Sequence, residues 1–233
     1  MEKEIIFLIK FIPEERYVNS LIDHGELFMR SLGYFAELEK HDNDKTRGDI
    51  REGLLLDCVR VCANRPIYCM YSVFNYDLIP EGILINKRAV QEFFPDGRGH
   101  FAIIKYEDFI TKLNSEYFDG YGATADLVNY GAIDWKVQQQ LLTTDPQRAA
   151  FVKSSDYSYQ NEFRLIVSKK LPTIKDEKAI EDYKAIHGVN FPHDFHKYSD
   201  YVARIGSLQS CAKKHSINDL FEYNDENFIL KTS

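Results

Sequence analysis

Between Tyr157 and Val167 a polar, aromatic turn runs into an apolar strand, and Gln160 and Glu162 stand at its entry. Residues two apart in a strand share a face. Gln160 and Glu162 are therefore expected to point together, with Arg164 and Ile166 behind them, while Asn161, Phe163, Leu165 and Val167 face the other way. A carboxylate and an amide fixed side by side at a strand mouth can hold a sugar hydroxyl and a nucleophile's hydrogen. Many ordinary strands also begin with polar residues, so the chemistry depends on what the rest of the chain brings to this point.

Three other groups of residues have the types a phosphate- or sugar-binding site needs. The run Arg47-Gly48-Asp49-Ile50-Arg51-Glu52-Gly53 combines a glycine that allows close backbone approach with two guanidiniums able to clamp a pyrophosphate. A solvated loop with its own weak ion pairs would have the same composition. With a divalent metal, Asp49 and Glu52 would instead suit a nuclease. Lys10 follows five apolar residues, Ile5 to Ile9; it lies either at the solvent end of a strand or in a pocket that binds an anion. Ser31, with Tyr34 and Phe35 just beyond it, offers a hydroxyl for a ribose and a ring for stacking, or an ordinary strand end packed by two aromatics. His187, His193 and His196 fall in a stretch broken by Gly188 and Pro192, so no metal is expected there. No phosphate-binding glycine loop, nucleophile elbow or HExxH motif is present.

These candidates need a scaffold. Ile5 to Phe11 is an apolar run suited to a central strand. A helix is expected from Pro13 to His24, with Glu14 and Glu15 in its first turn and Gly25 as its C-terminal cap. Further strands are expected at Leu27–Ser31, Pro66–Ser72, Phe101–Lys105, Leu127–Tyr130, Glu162–Ser168 and Tyr201–Ile205. Helices are expected at Lys87–Phe94, Tyr106–Leu113 and Trp135–Leu142, with polar Asp176–Ile186 as a further helical stretch and a short closing one over Ile217–Phe221. His41–Gly53 reads as a loop, and Leu54–Cys62 fits strand or helix. Strands outnumber long helices and the helices are interspersed, which points to an α+β fold with a mostly antiparallel or split sheet.

The 233 residues suit a single domain over 1–233, and 44% hydrophobic residues are enough to bury a full core. A net charge of −7 gives no global basic footprint for duplex nucleic acid. No apolar run is long enough to span a membrane, and the start of the chain does not resemble a signal peptide. Cys58, Cys62, Cys69 and Cys211 form no disulfide framework in a chain this long, so they are expected to be reduced, mostly buried thiols of a cytoplasmic protein.

Several segments in order resemble a widespread family of uncharacterised bacterial and phage proteins linked to abortive infection and mobile elements. They are Leu27 to Phe35, Arg47-Gly48-Asp49, Glu52-Gly53, Tyr68 to Ser72, Val128-Asn129-Tyr130, Phe151-Val152-Lys153 through Arg164, and Arg204 to Leu208. A looser resemblance is to mono-ADP-ribosyltransferases. It implies a split β-sheet cleft that binds NAD as a substrate, with no metal. It assigns catalysis to Glu162 with Gln160, and NAD binding to Lys10, Ser31, Tyr34, Arg47 and Asp49. Tyr157 and Tyr159 would meet the acceptor, a protein or a nucleic acid, and a neutralising antitoxin is a further expected partner. Lys10 stands where these enzymes have Arg or His, and Arg30-Ser31-Leu32 lacks their Ser-x-Ser pattern. The alternative that follows from those departures is a module that keeps the cleft and binds a partner protein or a nucleotide without cleaving NAD.

Overall fold

The computed structural model describes residues 2–32, 34, 65–115, 118, 120–131, 148–169 and 200–231. Arg47, Asp49, Glu52, Phe35, Cys58, Cys62 and the three histidines at 187, 193 and 196 lie outside them. So do the expected elements at 41–53, 54–62, 135–142 and 176–186.

The centre is an open sheet. Its strands are β1 (Ile5–Ile12), β2 (Glu26–Ser31), β3 (Pro66–Phe74), β6 (His100–Lys105), β7 (Ala123–Leu127), β10 (Glu162–Val167), β11 (Tyr201–Arg204) and β12 (Ala212–Ser216). All pairings within it are antiparallel. A smaller antiparallel sheet contains β4 (Leu78–Ile79), β5 (Gly82–Asn86), β13 (Leu220–Glu222) and β14 (Asn227–Lys231). Two-residue strands β8 (Asn129–Tyr130) and β9 (Val152–Lys153) pair in parallel. The α-helices are α1 (Glu15–His24), α2 (Lys87–Phe93) and α3 (Tyr106–Ser115). This is a mixed α+β architecture of mostly antiparallel open sheets and few helices. Among the described residues no helix is long and apolar enough to cross a membrane.

β3 organises the rest, because it is paired along both edges. One edge takes β10 from Ile67 to Tyr71. The other edge is shared. β1 pairs with its C-terminal half, from Tyr71 to Phe74, while β2 pairs only with Pro66 and Ile67. Tyr68, Cys69 and Met70 fall between the two, with no strand opposite them on that edge among the described residues. Apolar residues fill both faces of the sheet. Leu8, Tyr68, Met70, Phe163, Leu165 and Val167 point to one face, where α1 (Val18, Leu21) and α3 (Phe109, Leu113) cover them. Ile9, Phe11, Tyr71, Val73 and Ile103 point to the other and meet Ile83, Ile85 and Leu230 of the small sheet and Ala89 and Val90 of α2.

Local chemistry sets the boundaries. α1 begins at Glu15, two residues later than expected, with Glu14 extended. It ends as expected at Gly25, whose φ is 63° and whose N–H donates to the Leu21 carbonyl at 2.9 Å. A Cβ on Gly25 would stand 2.0 Å from the Gly206 carbonyl oxygen, so only glycine lets the chain after β11 pass. Two expectations are corrected. Leu127–Tyr130 is not one strand: the ladder to β10 ends at Val128, whose N–H donates to the Glu162 carbonyl at 2.8 Å, and Asn129–Tyr130 pairs with β9 instead. Ile217–Phe221 is not a helix either. Ser216 and Asp219 cap one 3-10 turn, Ile217–Asp219, and Leu220 then enters β13.

Candidate functional site

β10 carries the Glu162 side chain into the interior. All six of its residues are buried, since it lies between β3 and β7. Glu162 sits opposite Tyr71 and Arg164 opposite Cys69, so both point to the face covered by the small sheet. Their surroundings are the Tyr71 cluster on one side and Leu32, Ile67, Ala150, Phe151 and Ile166 on the other. A carboxylate 7% exposed in such a place must be paired to stay charged.

Arg164, with no exposed surface, directs Nε (2.7 Å) and Nη2 (2.6 Å) at Glu162 Oε1 and donates from Nη1 to the Ala150 carbonyl. The Lys153 ammonium, 4% exposed and carried on β9, lies 3.6 Å from Oε2. The Cys69 thiol also donates to the carboxylate. The Glu162 backbone N–H donates to the Tyr130 hydroxyl at 2.8 Å. Burial alone would raise the Glu162 pKa, but Arg164 and Lys153 outweigh it and hold the carboxyl at about 2. Burial, and then the Glu162 charge, push the Tyr130 phenol upward.

Gln160 reaches the site by a route other than the expected one. It is not a strand residue. It ends a 3-10 helix, Ser155–Gln160, and the chain turns through Asn161 (φ 40°, ψ 47°) before β10 starts. The two-residue alternation that would place Gln160 beside Glu162 therefore does not apply. Lys153 joins them instead, donating to Gln160 Oε1 at 2.9 Å while facing Glu162. Of the two tyrosines in that helix, Tyr157 lies under the Lys153 ammonium, 4.8 Å from ring centre to nitrogen. Tyr159 donates its hydroxyl to Glu92 of α2, and the Arg88 guanidinium lies 3.9 Å above its ring. Burial first, and then Glu92, raise the Tyr159 pKa. Tyr159 also lines an open depression of about 660 Å³ between this turn, α2 and the loop before β14, together with Ser158, Asn86, Arg88, Gln91 and Glu226.

Lys10 and Ser31 are on the other face. Lys10 alternates with Ile9 and Phe11 and sits opposite Ala102, which places it with Leu8 and Tyr68. Its ammonium donates to the Cys69 carbonyl at 2.7 Å and rests 4.1 Å above the Tyr68 ring, at the place where β1 and β2 part. Burial lowers its pKa, against smaller opposing effects of Cys69 and Glu162. Ser31 is buried and accepts from the Tyr34 N–H at 3.2 Å, while the Arg30 guanidinium lies 4.1 Å over the exposed Tyr34 ring. The structure thus brings together Glu162, Gln160 and Tyr157, sets Tyr159 at the rim, and places Lys10 and Ser31 across the sheet.

Four members of the cluster, Arg164, Lys153, Tyr130 and Cys69, have no role assigned from sequence. Arg164 was placed on the right face without a partner. Lys153 directly follows two buried residues, Phe151 and Val152, a position that leaves a lysine little water. Tyr130 falls in one of the segments that carry the family resemblance, but its contact with Glu162 depends on the break at Val128. Cys69 and Cys211 are in no disulfide, and the first is half-buried and the second buried. Among the described residues no three His, Cys, Asp or Glu side chains gather as a metal site requires.

No protein-family model, curated protein or solved structure matches the chain.

Proposed function

We propose that the chain is an NAD-consuming ADP-ribosyltransferase acting on a macromolecular acceptor, in the role of a toxin or phage-defence effector. The observation that carries this reading is the ionised Glu162 carboxylate, shielded from water at a strand mouth and linked through one lysine to the Gln160 amide. In the reaction the bond between ribose C1′ and the nicotinamide nitrogen breaks. Its electron pair leaves with nicotinamide, and positive charge develops on the ribose. A fixed carboxylate accepting the ribose 2′-hydroxyl stabilises that charge at little reorganisation cost. The acceptor's nucleophile then forms the new bond to C1′ and gives up its proton. Gln160 orients the nucleophile, and the depression beside Tyr159 lets the acceptor approach. A phosphate contact from Lys10 requires the NAD to reach the gap between β1 and β2, where that ammonium lies against the Cys69 carbonyl.

A second reading has its own observation. Two guanidinium nitrogens of fully buried Arg164 already occupy Glu162 Oε1, as in an ion pair that only holds a fold together. The chain would then be a binding module that does not cleave NAD.

Nicotinamide release from NAD, by wild type and by Glu162→Gln, with and without cell lysate, separates the two. Release that depends on Glu162 and rises with lysate supports the transferase. A folded wild type that releases none under either condition, yet binds a nucleotide or protein with an affinity indifferent to Glu162→Gln, supports the module.

A further inference from the structure

Lys153 is the residue around which the cluster is arranged, although it lies on neither the strand nor the turn that carries the candidate reacting groups. It belongs to the parallel pair of β8 and β9, where Tyr130 sits opposite it. One end of that pair therefore supplies two contacts. Tyr130 accepts the Glu162 backbone N–H, and Lys153 faces the Glu162 carboxylate. Gln160 and Glu162 have no element in common that would align them, because the left-handed Asn161 breaks the chain between them. What they share is one ammonium, 2.9 Å from Gln160 Oε1 and 3.6 Å from Glu162 Oε2. A lysine 4% exposed at this place has lost most of its hydration, and it shares the single Glu162 carboxylate with Arg164.

We propose that Lys153 is the positioning residue of the site: its ammonium sets the Gln160 amide and the Glu162 carboxylate in a common orientation and keeps that carboxylate charged. This rests on the transferase reading for its consequence in catalysis, but not for the coupling itself. Arg164 pairs with Oε1 from β10, while Lys153 faces Oε2. Among the described residues, the charged and titratable groups that act on Glu162 are Arg164 on the same strand, Lys153 on β9, Cys69 on β3, Tyr130 on β8 and, more weakly, Lys10 on β1.

The test is a carboxyl carbon NMR titration of protein labelled at glutamate, with the Glu162 signal assigned by its loss in Glu162→Gln. It is run on wild type, Lys153→Met and Lys153→Arg. The Met variant is expected to raise the Glu162 midpoint by about one to three pH units, the range an adjacent opposite charge commands. The Arg variant is expected to return it to within about half a unit of wild type. An unchanged midpoint in folded Lys153→Met, or a Lys153→Arg that behaves like the Met variant, overturns the proposal. If Lys153→Met does not fold, wild type still decides the matter. The Gln160 side-chain amide signal must follow the Glu162 transition, and its failure to do so overturns the coupling. Nicotinamide release is read separately. In an active enzyme Lys153→Met should lower kcat about 10-fold or more with KM nearly unchanged, and its acid limb should move with the NMR midpoint. A wild type that releases no nicotinamide removes the transferase reading and leaves the NMR comparison to stand or fall alone.

Discussion

The two faces of β10 solve the same problem of burial in opposite ways. Phe163, Leu165 and Val167 enter a continuous apolar layer under α1 and α3, where packing alone contributes. Glu162 and Arg164, one residue out of phase, enter a gap between two smaller apolar clusters and bring charge with them. Apolar side chains would fill that gap at least as stably, since buried ion pairs often cost more in desolvation than they return. Net stability alone therefore does not account for the charge on the second face.

The comparison is tested most strongly by breaking the ion cluster. Arg164→Met leaves Glu162 with only part of its compensation and is expected to cost about 3–5 kcal/mol in urea unfolding. Replacing Glu162, Lys153 and Arg164 together by Leu, Met and Met is expected to restore wild-type stability or exceed it. On the other face Leu165→Ala should cost about 2–5 kcal/mol, with no comparable restoration by changing its neighbours to smaller residues. If the triple replacement stays as unstable as Arg164→Met, the two faces do not differ as argued. A smaller effect is expected at Tyr130→Phe, which strands the Glu162 N–H and should cost about 1–3 kcal/mol.

A pH-dependent effect is the contribution of Glu162 ionisation to acid stability. Its folded pKa, about 2, lies below its ordinary value of 4.5, so the unfolded chain binds the proton more readily. The stability it contributes is complete above about 4.5 and is lost as pH falls through about 2. Glu162→Gln should flatten the stability profile in that window. A wild-type profile already flat there would mean that Glu162 is not held charged.

Much of the central sheet can be read from sequence, because its strands combine apolar runs with unambiguous stops. Ile5–Ile12, Pro66–Phe74 and Glu162–Val167 are of this kind, and Gly25 marks the end of α1. The small sheet is not legible in the same way. Each half is a short local hairpin, β4 with β5 and β13 with β14, but the pairing of β5 with β14 that joins them spans most of the chain. β12, Ala-Lys-Lys-His-Ser, has no apolar pattern at all. It is a partly exposed edge strand held by backbone pairing to β6, which does not require one. The site was legible in type and not in arrangement. Glu162 stands out at its strand mouth, but the separation of Lys10 from it follows from alternation along β1. The link through Lys153 depends on a two-residue parallel pairing with no signal of its own.

The shared edge of β3 also fixes an order of events during synthesis. β1, β2 and β3 can pair as soon as Phe74 has left the ribosome, but the other edge of β3 has no strand until Glu162–Val167 follows much later. Until then its backbone and the apolar residues Tyr68 and Met70 lack their β10 neighbours, and sheets closed by such distant segments fold slowly. The candidate carboxylate arrives on the same strand that closes this edge. A growing chain therefore cannot carry the candidate carboxylate in place before this edge of β3 is closed.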